Sequence, residues 1–177
     1  MGKEIEAKFL VKENGFIYTS LGIHSVYPTI YQLIVDVNSN GKPIKQGYLP
    51  LDVGMTAAQE AGLIVDFTPD VARLREKAGK YFLTIKGKGD TARDELETKI
   101  DAAIFNTYWP KTEGQRVEKV RLEKTIDGYT AEIDVFTDRD LILAEIEVNT
   151  EEELKRIPIL GKDVSTDPKY KNNNLAR

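Results

Sequence analysis

The sequence predicts a mostly β chain that closes into an antiparallel barrel, with its charged side chains turned inward and a few helices flanking it. Three observations carry this reading. Charged residues recur with a period of two along most of the chain, the positions between them are apolar, and short turn signals separate the alternating runs. Alternation over four to eight residues marks strands with a buried face. Many such strands joined by short turns make an antiparallel meander, and closing the sheet removes its exposed edges.

Residues 3–11 open the pattern, with Glu4, Glu6 and Lys8 on one side and Ile5, Ala7, Phe9 and Val11 on the other. Glu4 and Lys8 also stand at the i,i+4 spacing of a helical ion pair. Phe9-Leu10-Val11 continues a β-favouring run, however, and Glu6 has no place in the helical pairing, so the segment reads as a strand. Helices are expected over 28–37 and 55–61. Strands then follow in which Arg73 and Arg75 oppose Leu74, and Thr84, Lys86 and Lys88 oppose Leu83 and Ile85. Arg93, Glu95, Glu97 and Lys99 face away from Leu96 and Ile100, and a helix is expected over 101–108. Lys119, Arg121 and Glu123 alternate with Val120 and Leu122, Glu132 and Asp134 with Ile133 and Val135, and Glu145 and Glu147 with Ala144, Ile146 and Val148. Asp127-Gly128 between two alternating runs is a strong hairpin signal, and Ala78-Gly79-Lys80 and Asp138-Arg139-Asp140 mark further turns. Thr150 with Glu153 three residues on reads as a capping box for a last helix over 150–156. The polar tail, 167–177, reads as disordered on composition.

Composition narrows the chemistry. A chain of 177 residues is long enough for one domain with a sizeable core. With no cysteine and only one histidine, His24, the chain lacks disulfides, zinc-thiolate sites, cysteine nucleophiles and His clusters. Any metal must be held by oxygen, which selects Mg²⁺, Mn²⁺ or Ca²⁺. The 25 basic and 29 acidic residues give a net charge of −4, so nothing points to nucleic acid. No apolar stretch is long enough to span a membrane and the N-terminus lacks a signal-peptide core, so a cytoplasmic protein is expected. Tyr27, Tyr31, Tyr48 and Trp109 read as core residues rather than platforms for a base.

Alternating charge usually belongs to a solvated outer face. Here the charged faces are nearly all Glu, Asp, Lys and Arg, and they carry like-charge neighbours: Glu4/Glu6, Arg73/Arg75, Glu95/Glu97, Lys119/Arg121, Glu132/Asp134 and Glu145/Glu147. Neighbours two apart on a strand lie roughly 7 Å from each other on one face. Repeated like-charge pairs are unfavourable unless opposite charge sits between them. Paired carboxylates suit hard divalent cations, and paired Arg and Lys suit phosphate oxygens. A metal-bound polyphosphate presents both surfaces, so the expected interior is wet and ion-lined, with the apolar faces outward beneath the helices.

Glu4-x-Glu6-x-Lys8 resembles the ExExK signature of the CYTH proteins, the triphosphate tunnel metalloenzymes. The likeness continues in order through Lys45-Gln46-Gly47-Tyr48-Leu49, Arg73-Leu74-Arg75, Leu83-Thr84-Ile85-Lys86-Gly87, Arg93-x-Glu95-x-Glu97, Lys119-x-Arg121, Glu132-Ile133-Asp134 and Ala144-Glu145-Ile146-Glu147, to a close at 161–172. It covers nearly the whole chain, read as one CYTH-like domain over 1–177. The resemblance implies an eight-stranded antiparallel tunnel and Mg²⁺ or Mn²⁺ as cofactor. It implies Glu4, Glu6, Glu145 and Glu147 as metal ligands, with Glu132 and Asp134 facing the metal or its waters. Lys8, Arg73, Arg75, Lys86, Lys119 and Arg121 would hold phosphates, with Glu4, Glu6 and Lys8 as the catalytic signature. Beside Arg93, the carboxylates Glu95 and Glu97 would either hold a second metal or orient the basic residues. Stretches 12–44 and 52–69 are longer than a compact member needs, and Ser165 stands where Thr is common.

The function this implies is metal-dependent hydrolysis of a small-molecule triphosphate, tripolyphosphate first among the candidates, by a monomer or homodimer without nucleic acid or membrane. The alternatives are an adenylyl cyclase, which needs an adenosine pocket that no motif specifies, and a polyphosphate-binding module, which would not need the paired acids. Either a carboxylate-bound water or a lysine of lowered pKa would serve as base.

Overall fold

The computed structural model describes residues 2–18 and 20–177. Among the described residues the strands are β1 (Gly2–Glu13), β2 (Phe16–Ile17), β3 (Lys42–Leu49), β4 (Val71–Lys77), β5 (Lys80–Lys86), β6 (Ala92–Ile100), β7 (Arg116–Ile126), β8 (Tyr129–Phe136), β9 (Leu141–Val148) and β10 (Lys162–Asp163). Helices α1 (Leu21–His24), α2 (Ile30–Asn40), α3 (Leu51–Glu60), α4 (Ala102–Tyr108) and α5 (Asn172–Leu175) fill the connections. The strand order is β10-β1-β6-β5-β4-β3-β7-β8-β9, and β9 pairs back on β1. The sheet is therefore a closed antiparallel barrel of eight strands, β1 and β3 to β9, with β2 and β10 as short additions to β1. The chain divides into two compact units, one of residues up to Glu4 with Ile44–Val117 and Pro168–Arg177, the other of Ile5–Pro43 and Glu118–Asp167.

In the first unit the apolar faces of β4 and β5 are covered by helices. Ala72, Leu74, Leu83 and Ile85 are buried in one cluster with Ala57 and Ala58 of α3 and Phe105 and Tyr108 of α4. Asp101 caps α4 by accepting from the Ile104 N–H at 2.8 Å. Beyond α3 the chain forms neither helix nor strand until β4, and Leu63, Val65 and Phe67 pack on the cluster. The extra stretch 52–69 thus forms an apolar cover. Gly54 of α3 lets the helix lie directly on β4: a Cβ there would stand 2.2 Å from the Ala72 Cβ.

In the second unit α2 packs on β8. Its N-cap Thr29 and Gln32 form a full capping box, and Leu33 and Val37 are buried. Asp127, in the left-handed region at φ 50°, and Gly128 make the turn between β7 and β8, as the sequence predicts. On β7, Lys119 and Arg121 are buried while Val120 and Leu122 are half-buried, the reverse of an ordinary half-solvated strand.

Three expectations need correction. Residues 150–156 do not form an α-helix. The capping contacts are made, with the Glu153 carboxylate accepting from the Asn149 and Thr150 N–H groups, but only a 3₁₀ turn over Glu153–Lys155 follows. Pro158 biases Ile157 away from helical geometry and stops the turn from propagating. The tail is ordered: Tyr170 is buried, α5 forms, and the backbones of Arg177 and Arg116 exchange two hydrogen bonds. Tyr31 is 72% exposed on α2, whereas Tyr27 and Tyr48 are buried as expected.

The Gly54 contact generates a prediction. Gly54→Ala adds helix propensity to α3 but overpacks it against Ala72, and we expect a net loss of about 1–2 kcal/mol. Urea unfolding should show a lower midpoint at unchanged slope.

Candidate active site

The first unit brings Glu4, Arg73, Arg75, Lys86, Arg93, Glu95 and Glu97 into one network. The register sets up its central row: Tyr48 of β3 lies opposite Arg73 of β4, Arg73 opposite Thr84 of β5, and Thr84 opposite Glu97 of β6. Glu97 accepts from Arg73 Nη2 at 3.2 Å and, through both oxygens, from Arg75 Nη2 at 3.1 and 3.0 Å. Lys86 lies opposite Glu95 in the register and binds it at 3.1 Å. Both Glu4 oxygens are engaged, by Lys86 Nζ at 2.8 and 2.9 Å and by Arg93 Nε at 2.8 Å.

Electrostatics follow from this pairing. Burial alone would push the Glu4 carboxyl up, but Lys86 and Arg93 outweigh it and bring its pKa from 4.5 to about 2. Glu97 is likewise held below the usual range, Arg75 and Arg73 overcoming its burial. Glu95 goes the other way: burial and the neighbouring Glu4 raise its pKa against the pull of Lys86. Arg73 is 7% exposed, and its Nε–H is buried with no acceptor. A buried donor without an acceptor is costly, and an anionic oxygen could satisfy this one.

The second unit assembles Glu6, Lys8, Lys119, Arg121, Glu132, Asp134, Glu145 and Glu147 on β1, β7, β8 and β9. Arg121 lies opposite Asp134, Glu132 opposite Glu145, Lys8 opposite Glu145, and Glu6 opposite Glu147. Asp134 is 1% exposed and accepts from Lys119 Nζ at 2.5 Å and from Arg121 Nε and Nη2 at 2.6 and 2.7 Å. Arg121 also pairs with Glu132, and Lys8 Nζ lies 3.3 Å from Glu145. The Lys8 backbone is clamped as well. Its N–H donates to Ser165 Oγ at 3.0 Å and its carbonyl accepts from the Val164 N–H. The Ser165 hydroxyl is tied to Asp163 at 2.6 Å.

Burial lowers the Lys119 pKa to about 8 despite Asp134 beside it, so the side chain is still largely a cation at neutral pH. Burial opposes ionisation of Asp134, but Arg121 and Lys119 hold it below the ordinary carboxylate range. Glu132 is raised by burial and by Glu145 and Asp134, more than Arg121 can offset.

Of the carboxylates expected as metal ligands, Glu4 and Asp134 have both oxygens on basic side chains. Glu6, Glu132, Glu145 and Glu147 lie on the adjacent strands β8, β9 and β1 of one unit. Among the described residues no group of three or more acidic or histidine side chains is close enough to hold a metal alone. This donor set still fits a hard divalent cation. All the donors are oxygen, Glu6 and Glu147 are opposed at cross-strand spacing, and Glu132 stands opposite Glu145. Mg²⁺ in particular is commonly held by one or two carboxylates with phosphate oxygens and water. Thr84 and Ser165 were not expected to be site residues. Thr84 was legible as a hydroxyl on the face that also carries Lys86, whereas the Ser165 contact depends on long-range folding.

A pH dependence follows from Glu4. Its folded pKa is depressed, so its ion pairs stabilise fully above the ordinary carboxylate value and fail as pH falls from 4.5 towards about 2. Urea midpoints measured between pH 6 and 2 should fall less steeply in Glu4→Gln than in the unmodified chain.

No protein-family model matches the chain. It is 34% identical over 179 residues to the inorganic triphosphatase of Nitrosomonas europaea, the match covering 98% of this chain and 96% of that protein. It is 30% identical over 182 residues to the inorganic triphosphatase of Acetivibrio thermocellus, covering 100% of this chain and 95% of that one. Among solved structures, an inorganic triphosphatase matches at 31% identity with a TM-score of 0.55, over 99% of this chain and 95% of that one. A Bacillus halodurans structure, at 16% identity and a TM-score of 0.51 over 88% and 87% of the two chains, shares the fold. Full-length identity, a closed eight-stranded sheet and charged rows in the ExExK order lead to one assignment: the chain belongs to the CYTH superfamily, the triphosphate tunnel metalloenzymes.

Proposed function

We propose that this protein hydrolyses inorganic triphosphate, releasing orthophosphate and pyrophosphate, with Mg²⁺ or Mn²⁺ as cofactor. The observation that carries the reading is the buried Arg73 Nε–H without an acceptor, on a guanidinium whose Nη2 is already held by Glu97 and Thr84. The inorganic triphosphatases at 34% and 30% identity support the same substrate.

The roles follow from each group's partners. Arg73, Arg75 and Lys86, and separately Lys8, Lys119 and Arg121, serve as phosphate-binding cations. Arg presents a fork to phosphate oxygens and Lys a point charge. Glu97, Glu4 and Asp134 keep those cations ionised and oriented before substrate arrives. Glu6, Glu145 and Glu147, with Glu132, would hold the metal, which supplies charge neutralisation at the phosphoryl oxygens. Water attacks the terminal phosphorus, the P–O–P bond breaks, and pyrophosphate leaves. The chain's contribution is alignment of the phosphates and stabilisation of developing negative charge. No covalent intermediate on the chain is required.

Phosphate release from tripolyphosphate, ATP and thiamine triphosphate with Mg²⁺, Mn²⁺ or EDTA tests this. We expect metal-dependent turnover with tripolyphosphate preferred, abolition by EDTA, and a loss of kcat/KM of at least about a hundredfold in Glu6→Gln and Arg73→Ala. ATP yielding pyrophosphate and cyclic AMP, or tight binding without turnover, would sink the proposal.

A further inference from the structure

Thr84 lies at the middle of the Tyr48, Arg73, Thr84 and Glu97 row, and its side chain is fully buried at 0% exposure. A hydroxyl has one proton to donate and lone pairs to accept with. Thr84 uses both: Oγ1 donates to Glu97 Oε2 at 2.6 Å and accepts from Arg73 Nη2 at 3.1 Å. Glu97 in turn binds Arg75 Nη2. A single hydroxyl thus ties one carboxylate and one guanidinium together, and through Glu97 reaches the second guanidinium. The branched Cβ of threonine restricts χ1, so the hydroxyl is held in one direction.

We propose that Thr84 is a positioning residue for substrate binding, which fixes Glu97 and Arg73 so that the Arg73 Nε–H edge stays open to a phosphate oxygen. This rests on the triphosphatase reading above. Nη2 of Arg73 is committed to Thr84 and Glu97, while Nε carries no acceptor. Without the Thr84 hydroxyl, Glu97 loses its shortest hydrogen bond and Arg73 one of its two anchors. The guanidinium is then free to turn Nε toward Glu97, the nearest anion, and away from substrate. Because the hydroxyl acts before the chemical step, its loss weakens substrate binding more than turnover.

The test measures tripolyphosphate hydrolysis by phosphate release, and tripolyphosphate binding by calorimetry, for the unmodified chain, T84V and T84S. T84V should raise KM and the dissociation constant roughly tenfold, with kcat within about twofold. T84S, which keeps the hydroxyl, should recover most of the affinity. The proposal is overturned if T84V binds like the unmodified chain, if T84S is as weak as T84V, or if the loss lies in kcat alone. T84A carries the same comparison if T84V does not fold. If the unmodified chain binds tripolyphosphate without hydrolysing it, only the triphosphatase reading fails, and binding by the variants still decides the role of Thr84. If it does not bind at all, both fail.

Discussion

The structure depends on the cost of burying charge. Lys119, Asp134, Arg121, Arg73 and Lys86 are all less than a tenth exposed, and a buried ion without a partner is strongly unfavourable. The solution is cross-strand pairing. Asp134 stands opposite Arg121 and also reaches Lys119, Lys86 stands opposite Glu95 and also reaches Glu4, and Arg73 reaches Glu97 across the intervening Thr84. Each pairing requires one strand register. A slip of a single residue would exchange the charged face for the apolar one, setting leucines and isoleucines among ions. The ion pairs therefore select the register, while the apolar clusters beneath α3, α4 and α2 supply most of the favourable burial.

The same pairing prepares the cations for a polyanion. Arginine and lysine side chains lose rotamer freedom when they bind phosphate. Here that ordering is already done by carboxylates, so in the proposed reading substrate would meet groups that are charged and aimed. Preorganisation also explains why acids outnumber what a metal needs. Glu4, Glu97 and Asp134 spend their oxygens on basic side chains, whereas Glu132 and Glu145 stand opposite each other and pair with Arg121 and Lys8. The Ser165 clamp on the Lys8 backbone extends this from side chains to the strand itself.

Much of this was legible in the sequence because it is periodic. The strand faces carrying Arg73/Arg75, Lys119/Arg121 and Glu145/Glu147, the β7–β8 turn at Asp127-Gly128, and helices near α2, α3 and α4 all follow from local pattern. Which carboxylate binds which cation did not. Glu4 and Lys86 are 82 positions apart, and only the strand order makes them neighbours. The same holds for Glu4 with Arg93 and for Asp134 with Lys119 and Arg121. The tail failed for a related reason. Its polar composition hides Tyr170, which is buried, and the backbone exchange between Arg177 and Arg116 spans about a third of the chain. At 150–156 the local signal was real, since the capping contacts form, but a cap without an apolar stripe does not make a helix.

The claim that buried charges hold each other ionised is tested most directly by following side-chain carboxyl resonances of the folded chain through a pH titration. The account predicts that Asp134 stays ionised well below the ordinary carboxylate range, held by Arg121 and Lys119, while Glu132 on the same strand takes up its proton above that range. If both titrated at ordinary values, this charged face would be solvated, and ion pairing would not be what organises the sheet.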